Sequence, residues 1–124
     1  MNLPNIELNR KAIPLCEILS LLRSNSYSIS SIEWQGNFGF TSLLKVCFSD
    51  TVKFYINGEP REQYLYYEIT IDLDFKTISV YHYYLDRDAK KHTIIDESRE
   101  LEFDDDDRIQ LDKLVIKLVK NYLR

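Results

Sequence analysis

From Gln63 to Tyr84 apolar and polar residues alternate with a period of two, the pattern of β-strands with one face against a core. Leu65, Tyr67, Ile69 and Ile71 share one face; Tyr64, Tyr66, Glu68 and Thr70 share the other. A two-residue turn at Asp74-Phe75 folds the stretch into a hairpin. It pairs Ile71 with Ile78, Ile69 with Val80 and Tyr67 with His82 on the apolar face, and Thr70 with Ser79, Glu68 with Tyr81 and Tyr66 with Tyr83 on the other. Just upstream, Leu44, Val46, Phe48, Val52, Phe54 and Ile56 are all even-numbered, so one long strand or two collinear strands place them on one face. Asn57-Gly58-Glu59-Pro60 is a turn signal with two possible registers, Lys53 opposite Glu62 or Tyr55 opposite Tyr64. Both have the same parity, so Lys53 and Tyr55 join the tyrosine face either way.

Tyr27 to Gln35 reads as a further strand, with Ile32 and Trp34 on one face and Ile29 out of phase, which places a strand start near Ser30 or a bulge. Gly36-Asn37-Phe38-Gly39-Phe40 is a turn whose Phe38 and Phe40 fold back over the sheet edge or form an apolar tip. Asp86 to Lys91 is a polar turn. The weakly alternating run from Thr93 toward Glu102 is expected at a charged sheet edge.

The pattern changes to helical spacing at both ends. Leu15, Ile18, Leu19 and Leu22 form one stripe after Pro14, with Glu17 early and Arg23 late, both favourable to the helix dipole. Ile109, Leu111, Leu114, Val115, Leu118, Val119 and Tyr122 form a second stripe, with Lys113, Lys117, Lys120 and Arg124 largely opposite. Residues 1–12 have no clear period and are expected as an extended lead-in or a short helix. The links between strands are too short for parallel crossovers. The expected architecture is a single α+β domain over residues 1–124. Its core is an antiparallel meander of four to five strands, with the N-terminal and C-terminal helices packed on one face.

A chain of 124 residues with 44% hydrophobic residues can bury a core without covalent staples. Cys16 and Cys47, one in a helix and one in a strand, are expected as buried or half-buried free thiols. The N-terminal residues lack the basic-then-apolar pattern of a secretory leader, and no apolar run approaches a membrane span. The expectation is a cytoplasmic protein without membrane contact. The net charge of −4 argues against direct nucleic-acid binding, which needs a basic footprint.

Catalytic chemistry finds little purchase. The histidines, His82 and His92, have no neighbouring nucleophile motif, no glycine-rich phosphate loop is present, and His82 falls on the core face. His82, Asp86, Asp88 and His92 match no zinc or calcium spacing. Neither an enzyme nor a cofactor is expected.

Two features point to binding instead. Tyr55, Tyr64, Tyr66, Tyr81 and Tyr83 gather on one sheet face with Lys53 and Glu68. Tyrosine is a good strand former, but it is also enriched at protein interfaces because it offers large contact area at low entropy cost. Residues 96–107 hold eight carboxylates against Arg99, among them Glu100, Glu102, Asp104, Asp105, Asp106 and Asp107. Acids before a helix favour its N-terminus, yet only one or two can reach the free amides. The surplus suits electrostatic steering toward a basic surface. By analogy of class, size, charge and the lack of catalytic groups match bacterial immunity proteins, which block a cognate toxin. The expected role is inhibition of a basic toxin domain, for example a nuclease, by a monomer or homodimer. A secretion chaperone holding an effector segment, and a phage-type inhibitor imitating nucleic acid, are the alternatives.

Overall fold

The computed structural model describes residues 3–37, 40–86 and 88–122. The elements run β1 (Ala12–Pro14), α1 (Leu15–Ser24), a 3-10 turn (Ser26–Ser28), β2 (Ile29–Asn37), β3 (Phe40–Ile56), β4 (Glu59–Asp72), β5 (Thr77–Leu85), β6 (Lys91–Glu102) and α2 (Asp105–Tyr122). They form an α+β fold with one six-stranded sheet in the order β1-β6-β5-β4-β3-β2. The expected antiparallel meander is present as β2 to β6. The expectation of four to five strands and purely antiparallel pairing is corrected by β1, which pairs in parallel with β6 through Ala12 opposite Glu100, Ile13 opposite Leu101 and Pro14 opposite Glu102. So short a strand, ending in proline, has no period to recognise, and its partner lies at the far end of the chain. The short links between neighbouring strands do not bear on this pair, because α1 and the whole meander serve as its long connection.

Alternation decides the faces. Leu44, Val46, Phe48, Tyr67, Ile69, Ile71, Ile78 and Val80 are buried on one face. Leu15, Ile18, Leu19 and Leu22 of α1, and Leu111, Leu114, Val115, Leu118 and Val119 of α2, complete the same hydrophobic cluster. Both helices therefore cover one face, as the two stripes imply. Ile109 is an exception: the expected stripe includes it, but it is half exposed. At about 100° per residue it falls about 160° from Leu111 around the helix axis, outside the buried arc. Cys16 is likewise exposed and not buried, while Cys47 is half-buried; both are free. Phe38, the side chain of Tyr122, and Arg124 lie outside the described residues.

Turn chemistry fixes the register. Asn57 and Gly58 both have positive φ, 52° and 78°, as a two-residue hairpin turn requires. The Asn-Gly alternative is the one realised, with Lys53 opposite Glu62 and Tyr55 opposite Pro60. The central hairpin has the expected register throughout, including Ile71 opposite Ile78 and Tyr66 opposite Tyr83. Its loop is longer than the two residues expected, since Asp72 opposite Thr77 is the last pair. Asp72 organises it by accepting from the Asp74 and Phe75 amides, each at 3.0 Å. A register shift between Ile29 and Ser31 brings Ile29 into the core, as the out-of-phase isoleucine implies.

Residues 3–10 form a strap over the helix-side face. The Tyr67 hydroxyl, on a side chain only 1% exposed, accepts the Ile6 amide at 3.1 Å. Arg99 donates from Nε and Nη2 to the Leu8 carbonyl at 3.1 and 2.8 Å, which explains a cation on the inner side of β6. Tyr67→Phe should cost about 1 kcal/mol, because the buried Ile6 amide loses its acceptor. Urea unfolding measures the cost, and faster hydrogen exchange at Ile6 localises it.

Among the described residues no helix is long and apolar enough to cross a membrane.

Candidate protein-binding face

The face opposite the helices is built by register. Lys45, Cys47, Ser49, Thr51, Lys53 and Tyr55 of β3 lie beside Tyr64, Tyr66, Glu68 and Thr70 of β4. Ser79, Tyr81 and Tyr83 of β5 follow, then Thr93, Asp96 and Ser98 of β6. The structure thus brings together Lys53, Tyr55, Tyr64, Tyr66, Glu68, Tyr81 and Tyr83, as the parity argument requires. Neither helix reaches them. Tyr55 is 75% and Tyr64 49% exposed, while Tyr66, Tyr81 and Tyr83 are half-buried against one another.

Their mutual geometry is a row. Tyr66 and Tyr83 stack with ring centroids 5.0 Å apart and an interplanar angle of 15°. Tyr81 tilts against Tyr83 at 4.9 Å and bonds Thr93 through its hydroxyl at 3.2 Å. The Lys91 ammonium lies 4.4 Å from the Tyr83 centroid and 5.2 Å from that of Tyr81, within cation–π range. Lys45 approaches Glu68 at 3.9 Å. Burial, reinforced by the Glu68 carboxylate, pushes the Tyr83 hydroxyl above its ordinary value, so it stays a hydrogen-bond donor. Burial also raises the Cys47 thiol, leaving it protonated at the floor of the face.

One end of the face continues as an arm. β2 starts pairing at Ile29 opposite Phe48, and β5 ends at Leu85 opposite Tyr64. Beyond those points β3 and β4 project as a two-stranded ribbon carrying Lys53 and Tyr55 on the open side and exposed Phe54 and Ile56 on the other. A groove of about 340 Å³ under this ribbon is lined by Phe54, Ile56, Arg61, Glu62, Gln63, Leu85 and Asp86.

The acidic block lies elsewhere. Glu100 pairs with Thr77, six residues along β5 from Tyr83, or about 20 Å at strand rise. Glu102 is exposed at the end of β6. Asp104 and Asp107 cap α2 reciprocally: Asp104 Oδ1 accepts the Asp107 amide at 2.8 Å and Asp107 Oδ2 accepts the Asp104 amide at 3.1 Å. Asp105 and Asp106 remain exposed. Two aspartates of the run thus have a structural task and two do not.

Sequence reasoning missed a clasp between α2 and the start of β3. Asp112, 8% exposed, accepts the Thr41 amide at 2.8 Å through Oδ1. Arg108 donates from Nη2 to the Thr41 carbonyl at 3.2 Å and lies 4.0 Å over the Phe40 ring. The available signal was a carboxylate inside the apolar stripe, three residues before Val115 and seven before Val119.

The histidines are placed structurally. His92 Nε2 meets Asp86 Oδ2 at 2.7 Å and its ring stacks on Tyr84 at 4.7 Å. Asp86 Oδ1 also accepts the Asp88 and Lys90 amides, so the aspartate organises the β5–β6 turn. His82 packs edge-on against Tyr67 at 5.4 Å with its Nε2 enclosed and unbonded. Burial lowers its pKa from 6.5. The neutral ring costs nothing above that value. Below it the unfolded chain takes up a proton that the folded chain resists, so stability falls with pH. Urea midpoints should drop between pH 7.5 and pH 5, and His82→Phe should flatten that part of the drop.

No protein-family model matches the chain, and no curated protein or solved structure is significantly similar to it.

Proposed function

We propose that the protein is a binding inhibitor of the immunity type, which neutralises a basic toxin domain by docking through the tyrosine face. The observation that carries this reading is the tyrosine row on a sheet face that both helices leave open. An aromatic surface of this kind supplies anchor residues at small entropic cost. The exposed Asp105 and Asp106, with Glu100 and Glu102 nearby in the chain, supply long-range attraction for a basic partner.

The test is co-expression with the product of the adjacent gene. The intact chain should rescue growth from that product's toxicity, and a variant carrying Tyr64→Ser and Tyr83→Ser should not. A neighbour that is harmless, or a rescue indifferent to the tyrosines, rejects the proposal. Steering is separable from docking. Asp105→Asn with Asp106→Asn spares the helix cap and should lower the association rate several-fold at low salt. The difference should vanish near 0.5 M salt, where screening acts within about 4–5 Å. Stopped-flow association over a salt series checks this.

A further inference from the structure

The tyrosine row is capped by a cation at one end and open at the other. Cross-strand neighbours sit about 4.8 Å apart, close to the 5.0 Å that separates the Tyr66 and Tyr83 centroids. With only 15° between their planes, the rings stand with their faces along the direction that crosses the strands. On the β6 side the outer face of Tyr83 receives the Lys91 ammonium at 4.4 Å. On the β3 side the residue opposite Tyr66 is Ser49, exposed and too short to cover a ring. β2 begins pairing with β3 at Phe48 and the 3-10 turn before it contacts β3, yet Ser49 stays exposed on the open face. One step inward on the same face is Glu68, whose contact with Lys45 is only 3.9 Å.

We infer that the gap over Ser49, between the Tyr66 ring and the Glu68 carboxylate, is a slot for an arginine side chain of the protein partner. The inference rests on the docking reading above and names the chemistry of the docked residue. A guanidinium is planar and weakly hydrated, so it can lie on the ring while its N–H fork reaches a carboxylate; an ammonium is a point charge and does one or the other. Tyr66 and Glu68 are two residues apart on one strand, about 7 Å, a span that a stacked guanidinium bridges. Charge favours a cationic guest: by register this face carries Glu33, Glu62, Glu68, Asp72, Asp96 and Glu100 against Lys45, Lys53 and Lys91.

The probe is the peptide acetyl-Gly-Arg-Gly-amide, titrated against the full chain beside its citrulline counterpart, the neutral isostere. The arginine Hδ protons should shift upfield by ring current and saturate, with affinity at least fivefold above that of citrulline. Ser49→Phe fills the slot at an exposed position and should abolish the shift, as should Tyr66→Leu, with circular dichroism unchanged for the serine variant. Equal binding of citrulline, or full binding by Ser49→Phe, overturns the slot. If the arginine peptide fails to bind while growth rescue still requires Tyr64 and Tyr83, the slot is wrong and the docking reading stands. If the peptide behaves as expected but rescue ignores the tyrosines, the slot stands as a cation site and the docking reading falls.

Discussion

Asp112→Ala should destabilise the protein by about 2–3 kcal/mol, the largest loss expected from any single polar side chain here. The carboxylate is nearly inaccessible and its Oδ1 accepts the Thr41 amide at 2.8 Å. Thr41 is itself only 2% exposed, so alanine leaves its amide without water to replace the lost acceptor. The register around Thr41 is irregular, shifting between Gln35 and Gly36, which weakens the ladder as an alternative support. Arg108 would keep its bond to the Thr41 carbonyl and its place over Phe40. Asp112→Asn retains an oxygen acceptor and should cost less than half as much. Urea unfolding of the two variants decides the matter: equal losses would assign the role of Asp112 to its charge, and no loss in alanine would show that the clasp does not hold the β2–β3 hairpin to α2.

What the sequence makes visible depends on the range of the interaction. Period-two alternation is a local signal, and it was enough to assign Tyr55, Tyr64, Tyr66, Tyr81 and Tyr83 to one face before any pairing was known. The signal survives register uncertainty because slips of two residues conserve parity. The choice between an Asn57-Gly58 and a Glu59-Pro60 turn was local too, but it rested on which residues adopt positive φ, and that is a property of the folded hairpin. The β1–β6 pairing was out of reach. It joins Ile13 to Leu101 across nearly the whole chain, and only the arrival of β6 beside the strap creates a place for it. The projecting β3–β4 arm was hidden for a related reason: a strand outruns its neighbours only when all their lengths are set side by side. Asp112 sits between these cases. Its place in an apolar stripe is a local signal that sequence reasoning passed over, while the partner, Thr41, follows only from the packing of α2 across the hairpin.

The same reasoning weights the two halves of the candidate interface unequally. Asp104 and Asp107 are engaged with the amides of their own helix, so replacing the whole acidic run would mix lost steering with a lost cap. The tyrosines face solvent from a sheet already closed on its other side, so their removal tests recognition more directly. If the proposed docking holds, Tyr64→Ser combined with Tyr83→Ser should lower the affinity for the protein partner by about 100-fold or more, the loss expected when central aromatic anchors are removed. The cost to the fold should be only about 1–2 kcal/mol, from the lost Tyr66–Tyr83 stack and the Lys91 contact. Tyr27 is the matched control. It is 71% exposed in the 3-10 turn and lies on none of the strands that carry the row, so Tyr27→Ser removes comparable exposed aromatic surface and should leave affinity unchanged. Titration calorimetry measures the affinities and urea unfolding the stabilities. If the double variant binds as tightly as the parent, the tyrosine face is not the interface, and the acidic end of the sheet becomes the surface to test. If Tyr27→Ser weakens binding equally, the loss reflects general aromatic stickiness and not a docking site.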